Sequence, residues 1–141
     1  MKTIIRLTLI TIALSLSATA AQAQFSFFAI TPCRAVDTRG TSPLTAGQQR
    51  SFQIRGVCGV PSTAAAVSVN VTVVSPTAAS FLTLWPTGSA RPNVSTINFT
   101  GSDPSLANGA IVGLGTAPND LSVFNSAGSV HVLIDVTGYF Q

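Results

Sequence analysis

The chain has 141 residues with seven basic and four acidic side chains, one histidine and two cysteines. So few charges leave no basic stripe for a nucleic-acid backbone and no polybasic patch for an anionic membrane. The length suits one domain with a single core.

The first element is a leader. Lys2 and Arg6 open it, an apolar run follows at 7–16, and Ala21-Gln22-Ala23 fits the small-x-small pattern of a signal-peptidase site. The run is about half of the roughly 20 residues that span a bilayer. Residues 1–23 are therefore read as a signal peptide and 24–141 as one secreted domain, extracellular, or periplasmic or surface-held in a Gram-negative cell. No lipobox cysteine or sorting tail suggests covalent anchoring. Past the leader there is no lysine and no glutamate; five arginines (Arg34, Arg39, Arg50, Arg55, Arg91) face four aspartates (Asp37, Asp103, Asp120, Asp135). Serine and threonine, 27 together in 24–141, supply the polarity instead.

The domain begins with "FSFFAI" (25–30), read as the first strand, and then "TPCRAVDTRG" (31–40). Asp37 and Gly40 occupy the first and last positions preferred in a type I turn, with the Asp37 carboxylate accepting backbone N–H groups two residues on. Arg34 and Arg39 then need acceptors, for which Asp37, Asp135 and backbone carbonyls are the candidates. Two readings compete: a structural clasp across one end of the fold, which is favoured, and an arginine pair gripping a carboxylate or sulfate ligand. Cys33 and Cys58 are an even pair in a secreted chain, so a disulfide is expected. Closing that loop is worth roughly 3.5 kcal/mol by the loop-entropy model. A metal site would need more ligands than these two cysteines and His131, the only histidine, provide.

Further along, alternation of period two marks strands. In "AVSVNVTVV" Val67, Val69, Val71 and Val73 share a face; in "SVHVLIDVTGYF" Val130, Val132, Ile134 and Val136 do the same opposite His131, Leu133, Asp135 and Thr137. Phe52 with Ile54, Leu82 with Leu84, Ile97 with Phe99 and Leu121 with Val123 repeat the pattern, and "GAIVGLG" (109–115) reads as a continuous apolar strand. Glycine, proline, asparagine and serine clusters separate the runs. About eight short strands without a helical stripe imply an all-β fold, an antiparallel β-sandwich. A transmembrane barrel would need strands of about 9–11 residues and aromatic girdles, and is set aside.

The succession "TPCRAVDTR", "CGVPSTAAAVSVNVTVVSPTAASFLTLWPTG", "RPNVSTINF" and "SVFNSAGSVHVLIDVTGYF" resembles a widespread, largely uncharacterised group of secreted bacterial β modules. These run from a P-x-R-x-x-D-T-R start through A-V-x-x-N-V-T to D-V-x-G-Y-F. The resemblance spans nearly all of 31–140. It implies a bacterial extracellular β domain, often beside enzymatic or adhesive domains, with no catalytic residues carried over. Ser80 stands where the pattern has glycine, and Asn119-Asp120 where it has Asn-Gly, so both turns are expected to differ locally.

Catalytic constellations are missing from the sequence. Asp135 lies four residues from His131 along one strand, roughly 13 Å at strand rise, and no nucleophile elbow or paired-carboxylate signature is present. No enzyme activity, cofactor or metal is expected. Binding is more open. With Leu82 and Leu84 inward, Phe81, Thr83 and Trp85 turn to the opposite face. Two readings compete there: Trp85 covers the core or an interface, which is favoured, or the aromatic rings stack on sugars. The expected role is a surface recognition or adhesion module, binding a cell-surface glycan or protein. A self-assembling structural subunit is the alternative, since an edge strand without lysine is poorly protected against pairing, and an uncharacterised hydrolase comes third.

Overall fold

The computed structural model describes residues 24–116 and 118–141; the proposed leader 1–23 lies outside them. Eight strands follow in chain order: β1 (Phe27–Asp37), β2 (Gln49–Phe52), β3 (Ala66–Val74), β4 (Ser80–Pro86), β5 (Ile97–Phe99), β6 (Ser105–Gly113), β7 (Leu121–Asn125) and β8 (His131–Phe140), with a short 3-10 turn at Thr38–Gly40. They form two antiparallel four-stranded sheets, ordered β1-β8-β3-β6 and β2-β7-β4-β5. The all-β sandwich is as expected.

Alternation builds the core. Val67, Val69, Val71 and Val73 of β3 and Val132, Ile134 and Val136 of β8 are buried on the first sheet's inner face. Leu82 and Leu84 of β4, Ile97 and Phe99 of β5, and Leu121 and Val123 of β7 meet them from the second. At about 25 cal/mol per Å² of apolar surface removed from water, each buried branched side chain contributes about 1.5–3 kcal/mol.

Two strand expectations need correction. The first strand does not stop near Ile30 but runs on to Asp37, so Cys33 and Arg34 sit within the edge strand β1 rather than in a strap across one end. The register shift between Ala29 and Cys33 accommodates Pro32, which has no ladder N–H to give, and a second shift lies between Arg34 and Val36. The run 109–115 is strand as read, but with other bounds: it is the second half of β6 and ends at Gly113. Ile111 is 68% exposed, while Val112 and, just past the strand, Leu114 turn inward. Ile111 shares the outer face of the first sheet with Ser68, and among the described residues no second layer covers that side of it.

The Cys33–Cys58 disulfide is formed, with Cα atoms 5.6 Å apart. It links β1 to the loop after β2, tying one sheet to the other. Nearby, Asp120 is fully buried. Its carboxylate accepts the N–H groups of Ile54 (2.8 Å) and Arg55 (3.0 Å), and the Arg55 guanidinium lies 3.5 Å away. Arg55 also donates to the carbonyls of Ala64 (2.8 Å) and Gly115 (2.7 Å). Asp120 thereby takes up two backbone donors just past the end of β2. Ser80 acts similarly: its hydroxyl donates to Asn125 Oδ1 (2.9 Å) and accepts from the Ala127 N–H (2.8 Å).

Asp120→Ala should leave the Ile54 and Arg55 N–H groups without their acceptor and the Arg55 guanidinium without its counter-charge. A loss of about 3–5 kcal/mol in urea unfolding is expected; a loss comparable to an ordinary surface substitution would contradict this account of the buried pair.

Candidate functional site

The proposed site residues fall on opposite sides of the sandwich. Trp85 and Phe81 belong to β4, on the outer face of the second sheet; Arg34, Arg39, Asp37 and Asp135 cluster on the outer face of the first. No single ligand-binding surface joins the two groups.

Trp85 is not available for stacking on a sugar: it is only 3% exposed, and its indole N–H donates to the Ser89 carbonyl at 3.1 Å. The chain after β4 folds back over the strand's outer face. Thr83, also buried, donates to the Val94 carbonyl at 2.6 Å, and the Arg91 guanidinium lies 3.6 Å from the centroid of the Phe124 ring. Phe81 stays half-buried with its ring centroid 6.3 Å from that of Phe124. Alternation placed Trp85 on the correct face, but the cover formed by residues 87–96 has no periodic signal to announce it.

The opening arginines behave as a clasp. Asp37 caps the 3-10 turn, accepting the Arg39 N–H at 3.0 Å, and Arg39 reaches back to the same carboxylate with Nη2 at 2.6 Å. Arg34 forks onto Asp135 across the β1–β8 ladder, at 2.7 and 2.9 Å. Arg34 also lies 3.8 Å from Asp37, joining the four charges into one cluster. Their side chains are well exposed, 41% for Arg34 and 50% for Arg39, so an exposed pair such as Arg34–Asp135 contributes at most about 1 kcal/mol. Inside this cluster the 3-10 turn is locked to β8. The buried Thr38 hydroxyl accepts the Val132 N–H at 2.8 Å, and the half-buried His131 donates through Nδ1 to the Thr38 carbonyl at 2.9 Å. His131 and Asp135, on the same strand, are thus bonded to separate partners.

Beside the cluster lies a surface the sequence did not single out. Register sets the outer face of the first sheet in rows across β1, β8, β3 and β6: Ala29, Gly138, Ser68 and Ile111 in one, then Arg34, Asp135, Asn70 and Gly109 in the next. A shallow open depression of about 480 Å³ lies between Ser68, Asn70, Gly109, Ile111 and Thr137. Gly109 deepens it by lacking a side chain. At its margin the Phe27 ring lies over Gly138, where any side chain would collide with it. Thr137 is the extra residue of a β-bulge in β8, and its hydroxyl bonds Ser68 at 3.0 Å. The Asn70 amide makes no hydrogen bond to another side chain or to the backbone among the described residues. In the sequence Asn70 is one outward amide of an alternating strand, with no local signal that sets it apart from a solvated side chain.

An aromatic group closes the same end of the sheet. Phe27 packs on Phe140 (centroids 5.1 Å) and Phe28 stacks on Tyr139 (5.2 Å), while Phe25, Phe27 and Phe28 remain about half exposed. Among the described residues no three of His, Cys, Asp and Glu lie together as a metal site would require, and no helix is long and apolar enough to cross a membrane. The disulfide is compatible with an extracellular protein. Compared with family models, with curated proteins and with solved structures, the chain matches none.

Two outcomes follow. Arg39 hydrogen bonds hold the Asp37 carboxyl at about 2, below its ordinary 3.8, and the Arg34 fork lowers Asp135 likewise. Folded pKa values below the unfolded ones make both contacts stabilising above the ordinary carboxylate range and weaker as pH falls; for Asp37 the contribution is lost as pH falls toward 2. Carbon-detected NMR titration should show both midpoints depressed, and Arg34→Gln should raise that of Asp135; an unmoved midpoint would break the assignment. Trp85 should also emit as a buried indole and resist quenching by acrylamide in the folded protein, with efficient quenching counting against the cover over β4.

Proposed function

We propose that the protein is a non-catalytic, secreted recognition or adhesion module that takes a glycan on the outer face of its first sheet. The observation carrying this reading is the depression beside Asn70. Sugars present hydroxyl groups that both donate and accept, together with apolar ring faces. Asn70 offers both donor and acceptor, Ser68 and Thr137 add hydroxyls, and the side chain of Ile111 and the neighbouring Phe27 ring supply apolar contact. Such a shallow, open surface suits a polymer passing across it better than a small molecule enclosed within it. The arginine–aspartate cluster belongs to the framework of this face: Asp135 neighbours Asn70 across the β3–β8 ladder while remaining held by Arg34. The bonded states of His131 and Asp135 favour recognition over hydrolysis. Secretion, through a leader at 1–23, is part of the same proposal.

A second reading, a subunit that assembles with its own copies outside the cell, is favoured by the uncharged edge of β6. For the glycan reading, wild-type protein should bind a subset of cell-surface polysaccharides on an array. Asn70→Ala should weaken that binding roughly tenfold, the worth of about one well-made hydrogen bond to an amide, while leaving the unfolding transition in place. Absence of any glycan ligand, or a variant that binds as well as wild type, would overturn it.

A further inference from the structure

Four strands border the two sheets, and three of them are protected. β1 carries Pro32, Arg34, Asp37, the disulfide and two register shifts; β2 has four residues, one of them Arg50; β5 has three. Short length, charge, proline and irregularity are the devices that stop an edge from pairing. β6 has none of them. It runs for nine residues, "SLANGAIVG", in unbroken register with β3, without a charge or a proline.

Hydrogen-bond parity shows which groups of this edge are free. Leu114 N–H bonds the Ala65 carbonyl and Ser75 N–H bonds the Pro104 carbonyl, at the two ends of the β3–β6 ladder. Antiparallel bonding alternates along a strand. The even residues of β6 therefore bond β3, and Ser105, Ala107, Gly109, Ile111 and Gly113 point their N–H and C=O groups away from the sheet. These five positions are symmetric about Gly109.

We infer that β6 pairs with β6 of a second copy, antiparallel and centred on Gly109, joining the two first sheets into one eight-stranded sheet. In that register Ser105 faces Gly113 of the other copy, Ala107 faces Ile111, and Gly109 faces itself, each pair exchanging both backbone bonds. Every facing pair on the outer side sets a small residue against a larger or equally small one, and no like charges meet. On the inner side Leu106 lies opposite Val112 and Asn108 opposite Ala110. The two large apolar residues that β6 leaves in water, Leu106 (40% exposed) and Ile111 (68%), thereby each gain an apolar neighbour. No other partner sequence is required, since the strand is complementary to itself. Because the twofold axis of such a pair stands perpendicular to the sheet, both outer faces look the same way. The two depressions that share Gly109 and Ile111 as lining then merge into one trough across the seam.

Pairing of this kind stands without a glycan, and its test uses none. Sedimentation of the oxidised, processed protein should give twice the monomer mass at micromolar concentration. Ala107→Lys with Ile111→Lys sets lysines against each other at both facing positions and should yield monomers; Ala107→Lys with Ile111→Glu should restore the dimer. Gly109→Cys, where a Cβ meets nothing within 4 Å, should cross-link copies through the symmetric pair, and Ser62→Cys should not. A wild-type monomer up to millimolar concentration, a dimer indifferent to the paired lysines, or cross-linking no faster at residue 109 than at residue 62 would each overturn it. A dimer without glycan binding would remove only the glycan reading, and a glycan-binding monomer only this one.

Discussion

Burial of the valine-rich faces of β3 and β8 against β4 and β7 is the interaction on which the rest of this molecule depends. These four strands are the inner ones of their sheets, and they carry most of the fully buried side chains. Each edge strand adds a margin to that centre: Val36 from β1, Phe52 at the end of β2, Ile97 and Phe99 from β5, Val112 from β6. Non-directional apolar burial decides that two layers form. It does not decide which edges stay bare or how the loops are held.

That second task falls to a handful of buried polar groups. Thr38, Thr83, Asp120, Ser122 and Asn125 are all essentially inaccessible, yet no buried side-chain polar atom lacks a partner among the described residues. Nearly all of them bond backbone from another part of the chain. Thr38 holds the turn after β1 to β8, and Thr83 holds the β4–β5 connection over β4. Asp120 anchors the end of β2, while Asn125 donates to the carbonyls of Leu44 and Gly128. In a chain with so few charges, neutral amides and hydroxyls take over work that surface ion pairs do weakly in any case.

How much of this could be read from residues alone follows from the range of each interaction. Alternation is local, so the inner faces of β3, β7 and β8 and the Leu82–Leu84 pair were legible. The cysteine pair was legible because the alternatives lacked ligands. Asp37 as a turn cap was legible too, since cap and capped N–H lie two residues apart. Edge position was not, and nor was the uncovered outer face: nothing within "GAIVGLG" states how many neighbours the strand has or whether a layer packs over Ile111. Nor was the burial of Trp85, which depends on where a loop returns. The Arg55–Asp120 pair spans 65 residues, and the depression beside Asn70 needs three strands and a bulge to align. Both arise from register, which no short window contains.

The disulfide introduces an asymmetry between the two sides of the sandwich. It sits where β1 lies against the loop after β2, with the Arg55–Asp120 network close in sequence to Cys58. On the far side β6 meets the start of β5 through a side-chain bond from Asn108 to the carbonyl of Thr96, the residue before β5, at 2.7 Å. The molecule therefore has a covalent spine and an unsewn fore-edge. A covalent tie on one side only means that a force separating the layers meets its least resistance at the β5–β6 margin, with the disulfide keeping the other side joined.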